Sequence, residues 1–408
     1  MNKEFIYYPS FSAGAYGNAI KNDLIMENGM TCRFYDNRFN SEFRHPFFLW
    51  PAAHFKNQTN LKEKFGFDDS ISLFGDSGGY QVASGVLKWN PELKLQILNW
   101  LEENSNIAMN LDIPPRLTYE GKMDECMEIS HANIKYFYEN RQGKTKFLNV
   151  IQGNDEHSYL GWYQKMKDFQ FDGWSIGGAG GSLYRFMSGI MAFLSENEHL
   201  KPHNEYFHVL GTSKISDFFI LSQLQKSLND VGSPVQLTTD SSSPNRATSF
   251  GTIYIGYDLK RMNFKSIHYP KHTIEHGKDK SNFSTKELVK SNDYKLPELN
   301  QFTKWLKECY NYDDIKNWTS LGYVTAVLHN FSIFKSAISD INYYVQGEPY
   351  ILEQIIDSDM QRILNIVDLM VKSGNSIDIF NKNKEYIKSI GSKIDDEVKL
   401  SAFKTNLF

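Results

Sequence analysis

Between residues 45 and 256 short apolar runs recur: FFLW (47–50), ISLF (71–74), IAMNL (107–111), FLNVI (147–151), GWSI (173–176), YFHVL (206–210), VQLT (235–238) and TIYI (252–255). Most are separated by roughly 20–40 residues, room for a loop and a helix, and intervening stretches such as PELKLQILNWLEEN and DECMEISHANIKYFYENRQ carry helical periodicity. Strands that alternate with helices at this spacing require a parallel sheet, either open and doubly wound or closed into a barrel. Eight runs favour closure. The expected fold is therefore α/β, a (β/α)8 TIM-type barrel with insertions. No fixed-period repeat competes with this reading.

The residues at the C-terminal ends of these runs carry the chemistry. Asp76-Ser77-Gly78-Gly79, Asp112, Gln152-Gly153, Gly177-Gly178, Gly211 and Asp240 all stand just past an apolar run. In a barrel those strand ends converge on the face where active sites are built. Taken singly, the Asp76 segment also reads as a tight turn after a strand, and Asp240 as an N-cap before a polar loop. Taken together, two carboxylates on strand ends of one barrel can divide labour. One attacks an electrophilic carbon and the other moves a proton, as cleavage at an anomeric centre requires.

Composition bounds the partners. Of 408 residues, 41% are hydrophobic and 23% charged, which excludes a disordered or collagenous chain. Lys and Arg number 44 against 48 Asp and Glu, a net charge of −4, so contact with an anionic polymer must come from a local patch. One patch is present. The stretch 260–290 holds eight basic residues (Lys260, Arg261, Lys265, Lys271, Lys278, Lys280, Lys286, Lys290) against three acids (Glu275, Asp279, Glu287), about +5 locally. It reads as a track for a nucleic-acid backbone or as a solvated charged loop. No run approaches about 18 apolar residues, so no membrane partner is expected. The first twenty residues resemble neither a secretory signal nor a transit peptide, and a cytoplasmic location is the expectation. Three cysteines, Cys32, Cys126 and Cys309, far apart in sequence, suggest reduced thiols. From 296 to 408 the chain reads mainly helical, as in YVTAVLHNFSIFKSAISDI and LEQIIDSDMQRILNIVDLMVK. The expected organisation is a barrel over 1–295, with its basic insertion at 260–290, and a helical C-terminal region over 296–408 packed on its flank.

Six segments, taken in order, resemble those of one known family. Asp76 to Gln81, DSGGYQ, resembles the DSGGFQ signature of the tRNA-guanine transglycosylase family. Further along stand Asn110-Leu111-Asp112-Ile113-Pro114, similar to the family's acid-bearing strand end, and Val150-Ile151-Gln152-Gly153, which matches its (V/I)QG. Phe171 to Gly178, FDGWSIGG, is similar to FDGYAVGG, and His208-Val209-Leu210-Gly211 to the YLMGVG strand. Asp240 to Gly251, DSSSPNRATSFG, aligns without gaps to FDCVxPTRxxRNG from its Asp onward. The likeness covers roughly residues 70–256. It implies a (β/α)8 barrel and a double displacement at C1′ of a nucleotide. Asp240 would be the nucleophile and Asp76 the general acid/base. Asp112 and Gln152 would bind the guanine-type edge, with backbone N–H groups at Gly177 and Gly178 reaching its exocyclic oxygen. Tyr80 and Leu210 would sandwich the ring, and Arg246 would hold a neighbouring phosphate, with Lys260, Arg261 and Lys265 on the backbone track. A purine inside a duplex or stacked loop must be extruded to reach such a pocket.

The chain departs from the family pattern in two places. Many members hold a structural zinc through a CxCxxC cluster and a downstream His, whereas here only Cys309 precedes Leu328-His329-Asn330-Phe331. One thiol and one imidazole do not complete a tetrahedral site, and although Asp313 and Asp314 could complete a set, structural zinc rarely uses acids. The expectation is no cofactor, with a structural zinc the disfavoured alternative, and His329 reads as a hydrogen-bonded helix residue. The family's tRNA-reading RNG is replaced by Ser249-Phe250-Gly251, and no C-terminal RNA-binding module of the archaeal kind is evident. This favours DNA over tRNA as the polymer, as in the related DNA-guanine transglycosylases that insert 7-deazaguanines. The partners implied are therefore DNA, with tRNA the alternative, a 7-deazaguanine base, and a second copy, since family members often dimerise. Two rival classes are a non-catalytic nucleic-acid-binding subunit and a barrel glycoside hydrolase. Retention of Asp76 and Asp240 argues against the first, and the paired glycines with Gln152 suit a flat heterocycle better than a sugar chain.

Overall fold

Parallel strands covered on both faces must be apolar on both sides, and the runs above obey that rule. The computed structural model describes residues 2–268 and 320–405, apart from 13, 26–28, 30, 40–42, 89, 91, 179 and 180. Eight strands form one sheet: β1 (Ile6–Pro9), β2 (Phe47–Pro51), β3 (Ser72–Asp76), β4 (Ile107–Met109), β5 (Lys146–Ile151), β6 (Gly173–Ile176), β7 (Tyr206–Val209) and β8 (Gln236–Ser241). Their order is β1-β8-β7-β6-β5-β4-β3-β2, and every pairing is parallel. The two ends of the sheet, β1 and β2, lie against each other, so the barrel is nearly closed. Just before β2, the His45 ring nitrogen Nε2 lies 2.8 Å from the Tyr7 carbonyl of β1. The expected (β/α)8 architecture with C-terminal helices is thus the observed one.

The strand count needs one correction. TIYI (252–255) is not a barrel strand. It begins β9 (Thr252–Asp258), which pairs antiparallel with β10 (Asn263–His268) in a separate two-stranded ribbon. Along β9 only Ile253 and Gly256 are buried, the partial pattern of a ribbon with one covered face rather than a strand covered on both. The barrel instead takes IYYP near the N-terminus, with Tyr8 in register with Asp240.

The strands divide two cores between them by parity. Tyr8, Leu49, Phe74, Ile107, Met109, Leu148 and Val150 form one cluster that fills the barrel interior. Neighbours such as Leu73, Phe147, Ile151, Ile176, Val209 and Leu237 face outward and join the larger core beneath the helices. There Phe207 of β7 stacks on Phe193 of the Leu183–Leu194 helix, centroids 3.9 Å apart.

The Ser320–Gln346 helix packs between the Ile215–Asp230 and Gly14–Lys21 helices, which follow β7 and β1, and so takes the station of the eighth barrel helix. The ribbon rests on it: the Tyr254 N–H donates to Asn330 Oδ1 at 2.8 Å, and Phe264 stacks on Phe334. The LEQIIDSDMQ stretch breaks at Ile356, because Asp357 turns to cap the Ser358–Lys372 helix by accepting from the Met360 N–H at 2.8 Å. The boundary expected at 295/296 lies outside the described residues, as do residues 269–290 of the basic stretch. Among the described residues no helix is long and apolar enough to cross a membrane.

Candidate active site

Two residues further along an inward-facing strand is again an inward position. Phe74 leads in this way to Asp76, Val150 to Gln152, His208 to Leu210 and Thr238 to Asp240. The expected site residues are therefore the top layer of the barrel interior, directly above its apolar filling. Asp76 is in register with Pro51 of β2 and Asp240 with Tyr8 of β1. Because β1 and β2 lie side by side, the two carboxylates flank the barrel's closing seam.

Their electrostatics link them. Burial pushes the Asp76 carboxyl up to about 6, and the negative charge of Asp240 adds to this, while the Gly78 N–H, 2.9 Å from Oδ1, pulls the other way. Burial also pushes Asp112 up to about 7, with Asp76 adding to it. The Gln152 amide, donating to Asp112 Oδ2 at 2.8 Å, and the charge of Arg116 oppose that rise. Asp240 Oδ1 accepts from the Gly211 N–H at 2.8 Å. Its Oδ2 has no hydrogen-bond partner among the described residues, which leaves one oxygen for a ligand.

His208 is the residue that motif reading passed over. It is wholly buried in the barrel interior, its ring 4.2 Å from that of Phe74. Nε2 lies 3.3 Å from Asp240 Oδ1 and Nδ1 lies 2.8 Å from Thr238 Oγ1. With a proton on Nε2 directed at the Asp240 carboxylate, Nδ1 can accept from the Thr238 hydroxyl. The clue in the sequence is parity: His208 stands two positions before Leu210, where an apolar interior residue would be expected.

Two glycines allow the close approach of the loops. A Cβ on Gly79 would lie 2.1 Å from the Asp112 carbonyl oxygen, and one on Gly177 would lie 2.1 Å from the Gln152 amide nitrogen. The Gln152 amide thus lies across Gly177, where it meets Asp112. The Gly177 N–H already donates to Ile151 O at 2.9 Å as part of the sheet, and its carbonyl accepts from Tyr159 at 2.6 Å. The expectation that both glycine amides face a ligand is corrected accordingly, and of the two only Gly178 can take that part.

Tyr80 stands on the Gly79–Ala83 helix just past β3, 56% exposed, and Leu210 packs on the interior cluster from the end of β7. The structure thus brings Asp76, Asp112, Gln152, Gly177, Gly178, Leu210 and Asp240 to one end of the barrel. Arg246, on the Ser243–Ser249 helix just past β8, is exposed, with its guanidinium 5.8 Å from the centre of the Phe250 ring. Lys260, Arg261 and Lys265 are exposed on the β9–β10 ribbon rather than at a strand end, and Lys265 faces Asp258 at 3.7 Å. Cys309 lies outside the described residues. His329 sits on the Ser320–Gln346 helix with Nε2 2.6 Å from the Tyr254 carbonyl oxygen. Among the described residues no group of three or more His, Cys, Asp or Glu side chains could hold a metal ion.

No protein-family model matches the chain, and no curated protein matches it. The site's geometry therefore has to be read on its own chemistry. It offers a carboxylate with one open oxygen, a second carboxyl poised between its two protonation states near neutral pH, and beside them a carboxyl–amide pair.

Proposed function

We propose that the protein is a base-exchange glycosyltransferase that replaces guanine in a polynucleotide, DNA in preference to tRNA, by a 7-deazaguanine. The observation that carries this reading is the pair of electrostatically linked carboxyls, Asp76 and Asp240, flanking the barrel seam with the Asp112–Gln152 pair next to them. Asp240 Oδ2 attacks C1′ of the extruded nucleotide, and the C1′–N9 bond breaks as Asp76 gives its proton to the departing guanine. Asp76 then takes the N9 proton of the incoming base. That nitrogen attacks C1′, the ester to Asp240 breaks, and the sugar keeps its original configuration after two inversions. A group pushed up to about 6 can serve in both directions near neutrality.

The Asp112 carboxylate accepts from the N–H groups of the guanine-type edge, and the Gly178 N–H donates to its exocyclic oxygen. Tyr80, exposed just past β3, offers its ring as a stacking face for the base. Arg246 and the ribbon cations meet backbone phosphates.

The test is incubation with radiolabelled guanine and either duplex DNA or bulk tRNA, followed by counting of acid-precipitable label. Label in DNA is the expected result, and label in tRNA alone transfers the reading to a tRNA enzyme. Label in neither polymer, from protein that binds polynucleotide, points instead to a non-catalytic subunit.

A further inference from the structure

Two arginines stand beside this site with no ion pair among the described residues. Arg116 ends the Pro114-Pro115-Arg116 segment after β4, and Arg185 lies in the first turn of the Leu183–Leu194 helix after β6. Arg116 Nη2 is 3.1 Å from where a Cβ on Gly178 would stand, and the Tyr159 hydroxyl is 3.0 Å from that point. Arg185 Nη1 is 3.2 Å from where a Cβ on Gly181 would stand. Both charges act on the buried Tyr159 hydroxyl, which places Arg116 and Arg185 on the side of the barrel mouth where Gly178 and Gly181 stand. Both side chains are half-buried. Neither has a carboxylate within ion-pairing distance among the described residues, whereas Arg33 and Arg141 stand 3.5 and 3.6 Å from Asp23 and Asp172. Arg116 also acts on the Asp112 carboxyl, but around Tyr159 the two half-buried cations face a neutral phenol and repel each other, a cost that an anion seated between them would relieve.

The base-exchange reading, on which this step rests, says where that anion would come from. With the guanine-type edge on Asp112 and Gln152 and the exocyclic oxygen at Gly178, the next substituent round the ring on the same side is the one at C7. The sugar and its phosphates leave from N9, on the Asp240 side. We infer that the incoming 7-deazaguanine carries an anionic group, a carboxylate, at C7, and that Arg116 and Arg185 clasp it beside Gly178 and Gly181. Forked N–H donors match a carboxylate, and an aminomethyl group at C7 would bring a third cation between two.

The experiment is competition in the labelled-guanine exchange assay, with 7-deazaguanines bearing carboxylate, nitrile or aminomethyl at C7. The carboxylate is expected to compete better than the aminomethyl base by at least about tenfold, the worth of a charge-assisted pair. In Arg185→Gln and in Arg116→Gln that ratio should collapse, and Arg185→Lys should restore part of it. If guanine is exchanged but the aminomethyl base competes as well as the carboxylate, the inference fails and the base-exchange reading survives. Weakened polynucleotide binding in the Gln variants, with the base preference intact, would reassign the arginines to a phosphate and overturn it equally. Exchange of no base in either polymer defeats the base-exchange reading and the inference with it.

Discussion

The lower and upper layers of the barrel interior are built on the same strands with the same parity, and they do opposite things. Phe74, Met109 and Val150 are buried and packed against one another, as a core should be. One step up, Asp76 and Asp112 are carboxyls whose burial disfavours their charge, and Asp240 keeps an oxygen without a partner among the described residues. The lower layer holds the fold, and the upper one gives up stability to hold carboxyls at the barrel mouth. The contrast shows how the barrel separates the two tasks by a rise of two residues along a strand.

The sharpest way to break this contrast is to exchange the consequences. Asp240→Asn should lower base exchange by roughly 10⁴-fold or more, the scale on which removal of a nucleophile acts, and should abolish a denaturant-resistant adduct with the polynucleotide. Its melting temperature should stay close to that of the parent. An undiminished adduct would show that another residue attacks C1′. Phe74→Ala should do the reverse. Emptying this site should cost about 3–5 kcal/mol, read as a lower urea midpoint, while the protein that remains folded still exchanges bases.

A third test sits on the border between the layers. The folded Asp76 carboxyl titrates near 6 against an ordinary 3.8, so between those values the native state binds more protons than the unfolded chain. Stability therefore falls as pH rises from about 4 through 6, and Asp112 extends the fall towards 7. Asp76→Asn removes that loss while keeping an acceptor for the Gly78 N–H. It should stabilise the protein by about 3 kcal/mol at pH 8 and by little at pH 4, while abolishing exchange. Equal effects at both pH values in denaturant titrations would mean that the Asp76 carboxyl is not held up by burial.

The lower layer was far more legible in the sequence than the upper one. Seven of the eight apolar runs are barrel strands, because parallel strands buried on both faces cannot disguise themselves. The failures were local. Ile6–Pro9 is only four residues with two tyrosines and a proline, too short for periodicity to act on, and Thr252–Ile255 looks alike until its half-exposed partners are seen. In the site, Asp76, Asp112 and Asp240 announce themselves because an acid ending an apolar run needs a reason. Gly177 does not: a glycine pair suggests two free amides, yet the sheet register takes one of them. Arg116 and Arg185, with 68 residues between them, follow no pattern, since only the fold brings the ends of β4 and β6 together.

The smallest expected effect tests whether the upper layer is supported from below. His208 links Thr238 in the interior to Asp240 at the mouth, so a Thr238 hydroxyl that donates to Nδ1 reinforces the tautomer whose proton faces Asp240. Thr238→Val keeps the shape and removes that donor, leaving Nδ1 without a partner. A ring free to move its proton to Nδ1 would turn a lone pair towards the Asp240 carboxylate and weaken the alignment of Oδ2 for attack. We expect kcat to fall about five- to tenfold, the worth of one buried hydrogen bond, with KM for the polynucleotide unchanged and the pH profile of kcat displaced. A purely structural role for Thr238 would instead lower the melting temperature and leave the pH profile where it was. That outcome would confine the positioning of Asp240 to the Gly211 N–H, and the two layers would then be independent.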